Sequence, residues 1–142
     1  MKILFVCWAN VSRSQMAAAF YNQLTGSTDA DAAGTEVGIS GETLGDRRKR
    51  LGGTRVIDIM QEEDINMTDK VQTQLFEEML DKYDKVISMA DHQYTPEWLR
   101  NHPRFVYWHV DDPGGKDLDA ARIAKNTIKT KVQDFIKSTA QV

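Results

Sequence analysis

Short apolar runs alternate with longer amphipathic ones along this chain of 142 residues. Lys2-Ile3-Leu4-Phe5-Val6 is brief, apolar and rich in β-formers, as expected of a strand buried on both faces. Gln15 to Leu24 is dominated by helix formers and stops near Gly26, which predicts a helix. Thr28 to Ala33 predicts a second strand, with Gly34 beginning its exit loop. Val56, Ile57, Ile59 and Met60 give an apolar face to a helix within Thr54 to Glu63, and Leu75, Phe76, Met79 and Leu80 cluster in a further amphipathic segment, Lys70 to Leu80. Val86 to Met89 and Phe105 to Val110 read as strands. The tail from Leu118 to Ile136 places Ile123, Ile128, Val132, Phe135 and Ile136 at largely helical spacing. Strands alternating with helices predict an α/β fold with a parallel sheet covered on both sides. No repeat or interdomain linker interrupts the pattern, so residues 1–142 are expected to form one domain.

The junction between the first strand and the first helix carries the chemistry. It reads Cys7-Trp8-Ala9-Asn10-Val11-Ser12-Arg13-Ser14, a Cys-x5-Arg-Ser loop holding the single cysteine of the chain. A loop at that place presents backbone N–H groups and a helix N-terminus to one point in space, and such a point binds anions. A helix N-terminus and a nearby arginine favour the thiolate of a cysteine, which is its nucleophilic form. Arg13 offers a planar fork of donors matched to two oxygens of a tetrahedral anion. Ser14 can give a hydroxyl hydrogen to the sulfur, and Asn10 suits a left-handed loop position. A buried strand-end cysteine beside an unrelated surface arginine would explain Cys7. It would leave the arginine, the serine and the helix start at fixed offsets without a reason.

Composition narrows the partners. A formal net charge of −3 gives no broad electrostatic footprint for nucleic acid. One cysteine excludes an internal disulfide framework and fits a reducing compartment. No signal-like or membrane-length apolar run stands out, so the expectation is a cytoplasmic protein without a membrane partner. His92, His102 and His109 lack ligand spacing, so neither a metal site nor another cofactor is expected. Trp98 and Trp108 read as packing residues. Trp8 either lines the entrance to the anion loop or packs beneath it. Arg47-Arg48-Lys49-Arg50 reads as a solvated face, with attraction of an anionic substrate as the alternative. Asp111-Asp112-Pro113-Gly114 is a turn by composition, and it also offers two candidate acids.

These residues resemble the low-molecular-weight protein tyrosine phosphatase superfamily, which includes thiol-dependent arsenate reductases of the same fold. Besides the cysteine loop, Ala32-Ala33-Gly34-Thr35 resembles the Ser-Ala-Gly-Thr that ends the family's second strand. Ile65-Asn66-Met67-Thr68, Tyr83 to Met89 and Tyr107 to Pro113 resemble later family segments, so the likeness covers nearly the whole chain. Arg13-Ser14-Gln15-Met16 and Trp108-x-x-Asp111-Asp112-Pro113 are closer to the reductases. The resemblance implies a three-layer domain with a four-stranded parallel sheet, order 2-1-3-4, and helices on both faces. It implies a catalytic set of Cys7, Arg13 and Asp112, with Trp8, Ala9, Asn10, Val11, Ser12, Arg13 and Ser14 holding the oxyanion. It selects Asp112, the aspartate immediately before proline, as the acid that protonates the leaving oxygen.

The activity so implied is hydrolysis of phosphate monoesters through a phosphocysteine, with a phosphorylated protein, phosphotyrosine included, or a small phosphate ester as substrate. Arsenate reduction is the alternative, and an oxyanion-binding regulatory domain with weak turnover is a third. Departures from the family pattern bear on the choice. Gly114-Gly115 stand where the phosphatases carry aromatic residues, Ala32 replaces a supporting serine, Asp69 a histidine, and Ser12 the second cysteine of the loop. Reductases coupled to thioredoxin pass oxidation through two further cysteines after the third strand. Ala90 to Pro103 contains none, so reduction here would need an external thiol or a glutaredoxin-type partner.

Overall fold

The computed structural model describes residues 1–140. Four parallel strands form one sheet in the order β2-β1-β3-β4. They are β1 (Ile3–Cys7), β2 (Ala30–Gly34), β3 (Lys85–Ser88) and β4 (Phe105–Tyr107). The helices are α1 (Arg13–Thr25), α2 (Leu44–Leu51), α3 (Arg55–Gln61), α4 (Glu97–Arg100) and α5 (Leu118–Ala140). The expected fold class and strand order are both found.

Every residue of β1 is buried, because the strand is central and covered on each face. Ile3 and Phe5 face one hydrophobic cluster with Met16, Phe20, Ile59, Met60 and Ile128, under α1, α3 and α5. Leu4 and Val6 face the other, with Leu75, Leu80, Val86 and Leu99. Period-two alternation along an unbroken apolar run thus serves two cores. Gly26, in the left-handed conformation (φ 65°), caps α1 as the sequence leads one to expect. Trp108 packs its ring against Phe5 and Phe135, with centroids 5.8 and 6.1 Å away, and Trp98 joins the second core.

Three elements differ from the sequence reading. β2 starts at Ala30 and includes Gly34, which pairs with Cys7. The segment Lys70 to Leu80 lies extended through its first half before a 3₁₀ turn at Glu77–Lys82. Gly34 N–H donates to Thr73 O and Leu75 N–H to Gly34 O, so backbone pairing against β2 takes these residues. Leu75 and Leu80 are buried, whereas Phe76 is left exposed. β4 ends at Tyr107 rather than Val110, because the chain turns across the strand ends after Trp108 N–H bonds Ser88 O. In the stretch Ile39 to Gly53, α2 forms behind a Thr43 cap whose hydroxyl accepts from Asp46 N–H at 3.1 Å.

Candidate active site

β1 carries Cys7 to the carboxyl edge of the sheet, where open α/β folds place their ligands. The loop Trp8 to Ser12 then turns back into α1. Two local features let it close. Asn10 adopts φ 59°, a left-handed conformation that asparagine tolerates better than most residues. Gly34 lies directly beneath, where a Cβ would come within 2.8 Å of Asn10 N and Trp8 O. Among the described residues, no backbone N–H of residues 8 to 13 donates to a protein acceptor. These six donors at the entry to α1 are thus free of protein partners, a condition that an anion cradle requires.

A directed hydrogen-bond chain reaches the sulfur. Thr73 N–H, which can only donate, bonds Asn10 Oδ1 at 2.7 Å and so fixes the amide's orientation. Asn10 Nδ2 then donates to Ser14 Oγ at 2.7 Å. The Ser14 hydroxyl oxygen in turn lies 3.0 Å from Cys7 Sγ, a hydrogen bond in which it can donate to the sulfur. Gln15 completes the brace: its Nε2 donates to Asn10 O and Val71 O at 3.2 and 3.0 Å. Asn10, Ser14 and Gln15 are all buried. Bracing that the family draws from a serine at Ala32 and a histidine at Asp69 comes here from Gln15 and the Thr73 amide. Gln15 is a residue bracing the loop that the Cys-x5-Arg-Ser motif alone does not expose.

Arg13 is 3% exposed and spans the strand ends. Its Nη1 donates to Met89 O at 2.5 Å and Val110 O at 3.1 Å, and its Nη2 lies 3.4 Å from Asp112 Oδ2. Two of the five guanidinium hydrogens, both on Nη1, are hydrogen-bonded, which leaves those on Nε and Nη2 to face a ligand or Asp112. Asp112 also accepts from Gly114 N–H at 2.8 Å, closing the turn after Pro113. Both predicted ends of the chemistry, Cys7 and Asp112, line one cavity of about 460 Å³ together with Trp8, Ala9, Val11, Ser12 and Arg13. Asn10 and Ser14 lie behind its wall and act on the loop and the sulfur. Trp8 belongs to the wall, but its ring is committed elsewhere. It stacks on Tyr94 (centroids 4.5 Å, 20° between planes), and its Nε1 donates to Glu36, neither of which lines the cavity. The opposite wall, Arg47, Leu51 to Val56 and Gly114 to Lys116, was legible only as a charged run and a loop.

A parallel sheet whose first strand delivers a cysteine into a cradle of free amides, closed by a buried arginine, defines a class of oxyanion-handling α/β enzymes. The chain belongs to the low molecular weight phosphotyrosine protein phosphatase family, whose model matches residues 2–141. Among curated proteins it is 30% identical over 137 residues to a glutaredoxin arsenate reductase of Synechocystis sp., covering 95% of each chain. It is 27% identical to arsenate reductase 1 of Bacillus cereus, covering 96% of this chain and 94% of that one. The low molecular weight protein tyrosine phosphatase of T. tengcongensis shares the fold, with a TM-score of 0.78 at 21% identity over 97% of this chain and 99% of the other. Family membership is enzymatic in both branches, phosphatase and arsenate reductase.

Proposed function

We propose that this protein hydrolyses phosphate monoesters, with Cys7 as nucleophile. The observation that carries the reading is the chain from Thr73 through Asn10 and Ser14 to the Cys7 sulfur, set in a ring of unpartnered amides. The sulfur attacks phosphorus in line, an S–P bond forms, and the ester P–O bond breaks. Arg13 and the N–H groups of residues 8 to 13 receive the equatorial oxygens, whose charge must be held through the transition state. Asp112 gives its proton to the departing alkoxide or phenoxide. Water then attacks the phosphocysteine, Asp112 takes the water's proton, and inorganic phosphate leaves with Cys7 restored as thiolate. The ester and one water become an alcohol and phosphate, with no redox change.

The curated relatives favour a second reading, arsenate reduction. Cys7 would displace water from arsenate to form a sulfur–arsenic bond, and an external thiol would attack the Cys7 sulfur. Arsenite would leave with the electron pair, Cys7 would remain in a mixed disulfide, and a second thiol would free it. The sequence holds no second cysteine for an internal relay. Parallel assays separate the readings. Phosphate-ester hydrolysis without added thiol supports the first. Arsenate turnover that requires a small thiol with a glutaredoxin-type partner, and traps a mixed disulfide on Cys7, supports the second. Phosphate binding with neither turnover would leave an oxyanion-binding domain.

A further inference from the structure

The cavity is much larger than a phosphate group, and its outer part is cationic. Arg47 on α2, Arg55 at the start of α3 and Lys116 on the loop after Pro113 all line it. Their neighbours are neutralised. Arg48 pairs with Asp58 at 2.7 Å, and Arg50 is bidentate on Glu42 at 2.8 and 2.9 Å. Arg47, Arg55 and Lys116 form no ion pair among the described residues. Glu42, whose carboxyl is held low first by the Arg50 hydrogen bond and least by the charge of Arg47, is already paired with Arg50. The single carboxylate in the cavity wall, Asp112, faces Arg13.

Two of the three cations are held by neutral oxygen. Arg47 Nη1 donates to Thr54 Oγ1 at 3.1 Å, and Arg55 Nη1 donates to the Lys116 carbonyl. Each keeps its charge uncompensated while its side chain is anchored. A protein with a formal charge of −3 thus concentrates positive charge at one mouth, and a walled cleft focuses that field. The walls supply little to grip a ring. Gly52, Gly53, Gly114 and Gly115 take up much of the rim, and the Trp8 ring is engaged outside.

We propose that this rim is a second-anion subsite. Resting on the phosphatase reading, the substrate is a small phosphate monoester whose leaving group carries a further phosphate or carboxylate, received by Arg47, Arg55 and Lys116. The Cys7 cradle takes the phosphoryl group that is transferred. The second anion stays with the alcohol and orients it under Asp112.

The test compares 4-carboxyphenyl phosphate with its neutral isostere 4-carbamoylphenyl phosphate, and an alkanediol bisphosphate with the matching monophosphate. The first pair reports a carboxylate and the second a phosphate. At low ionic strength kcat/KM is expected to favour the anionic member of at least one pair by roughly 10-fold, the scale of a charged hydrogen bond. The ratio should fall toward one in high salt. Arg47→Met and Arg55→Met should each reduce the ratio, and Arg47→Lys should restore most of it. Ratios near or below one in both pairs, with para-nitrophenyl phosphate turned over normally, would overturn the subsite and leave the phosphatase reading standing. No hydrolysis of any ester by folded protein would overturn both.

Discussion

Asn10 holds two positions that no other residue would fill together. Its backbone takes the left-handed turn, and its side chain relays the Thr73 N–H toward Ser14 and Cys7. Asn10→Ala should therefore lose on both counts: strain at positive φ, and a part-buried Thr73 amide left without its acceptor while Ser14 loses one of its two partners, about 1–3 kcal/mol for the unmet polar groups. Asn10→Gly should recover the turn but not the relay. Melting temperatures ordered wild type, Gly, Ala, with both variants poor in turnover, are the expected result. Equal activity in wild type and Asn10→Gly would show the relay to be dispensable. Arg13 and Asp112 separate by substrate. Arg13→Lys should weaken both phosphate binding and turnover, since a point ammonium cannot present the fork. Asp112→Asn should slow turnover by roughly 10²–10⁴-fold for alkyl esters and progressively less as the leaving group becomes more acidic. Equal losses across leaving groups of widely different acidity would make Asp112 structural.

At the scale of elements, legibility followed locality. β1, the loop and α1 are adjacent in the chain, so strand formers, Cys-x5-Arg-Ser and a run of helix formers declared them together. α2 stayed hidden because Leu44 is its one buried residue and its body is charged, which leaves apolar periodicity nothing to report. The Thr43 cap and Gly52 were its readable signals. The spacing of Leu75, Phe76, Met79 and Leu80 describes an amphipathic segment, yet long-range pairing with Gly34 sets the backbone. Such pairing has no local signature. Nor could β-propensity reveal that the chain leaves β4 early enough for the Val110 carbonyl to hold Arg13. The packing of α3 on α5 carries its own prediction. Glu62, at the end of α3, accepts from Arg122 Nε at 3.2 Å and Nη2 at 2.8 Å, and from Lys125 at 3.4 Å. The Arg122 hydrogen bond, with the charges of Arg122 and Lys125, holds its carboxyl from 4.5 down to about 2. A depressed carboxylate stabilises the folded state above its unfolded value and loses that contribution as pH falls through its folded one. Urea midpoints of wild type and Glu62→Gln should differ at pH 6, draw together below about pH 4.5 and converge only as the pH falls to about 2 and below. A gap independent of pH would remove Glu62 from the account.

Across the whole molecule, one fold is shared with proteins of two chemistries, phosphatases and arsenate reductases. A central strand buried on both faces positions Cys7, while the Met89 and Val110 carbonyls beyond β3 and β4 hold Arg13. The rest of the cavity wall comes from segments outside the sheet, Arg47, residues 51 to 56 and residues 112 to 116. No helix among the described residues is long and apolar enough to cross a membrane. The central claim is that the Cys7 sulfur becomes covalently phosphorylated. Acid-quenched mass spectrometry during turnover of para-nitrophenyl phosphate, best in Asp112→Asn where breakdown is slowed, should find one phosphoryl group on Cys7. Cys7→Ser should bind phosphate yet turn over nothing. Sustained hydrolysis by a clean Cys7→Ser preparation, or turnover with Cys7 never modified, would contradict it.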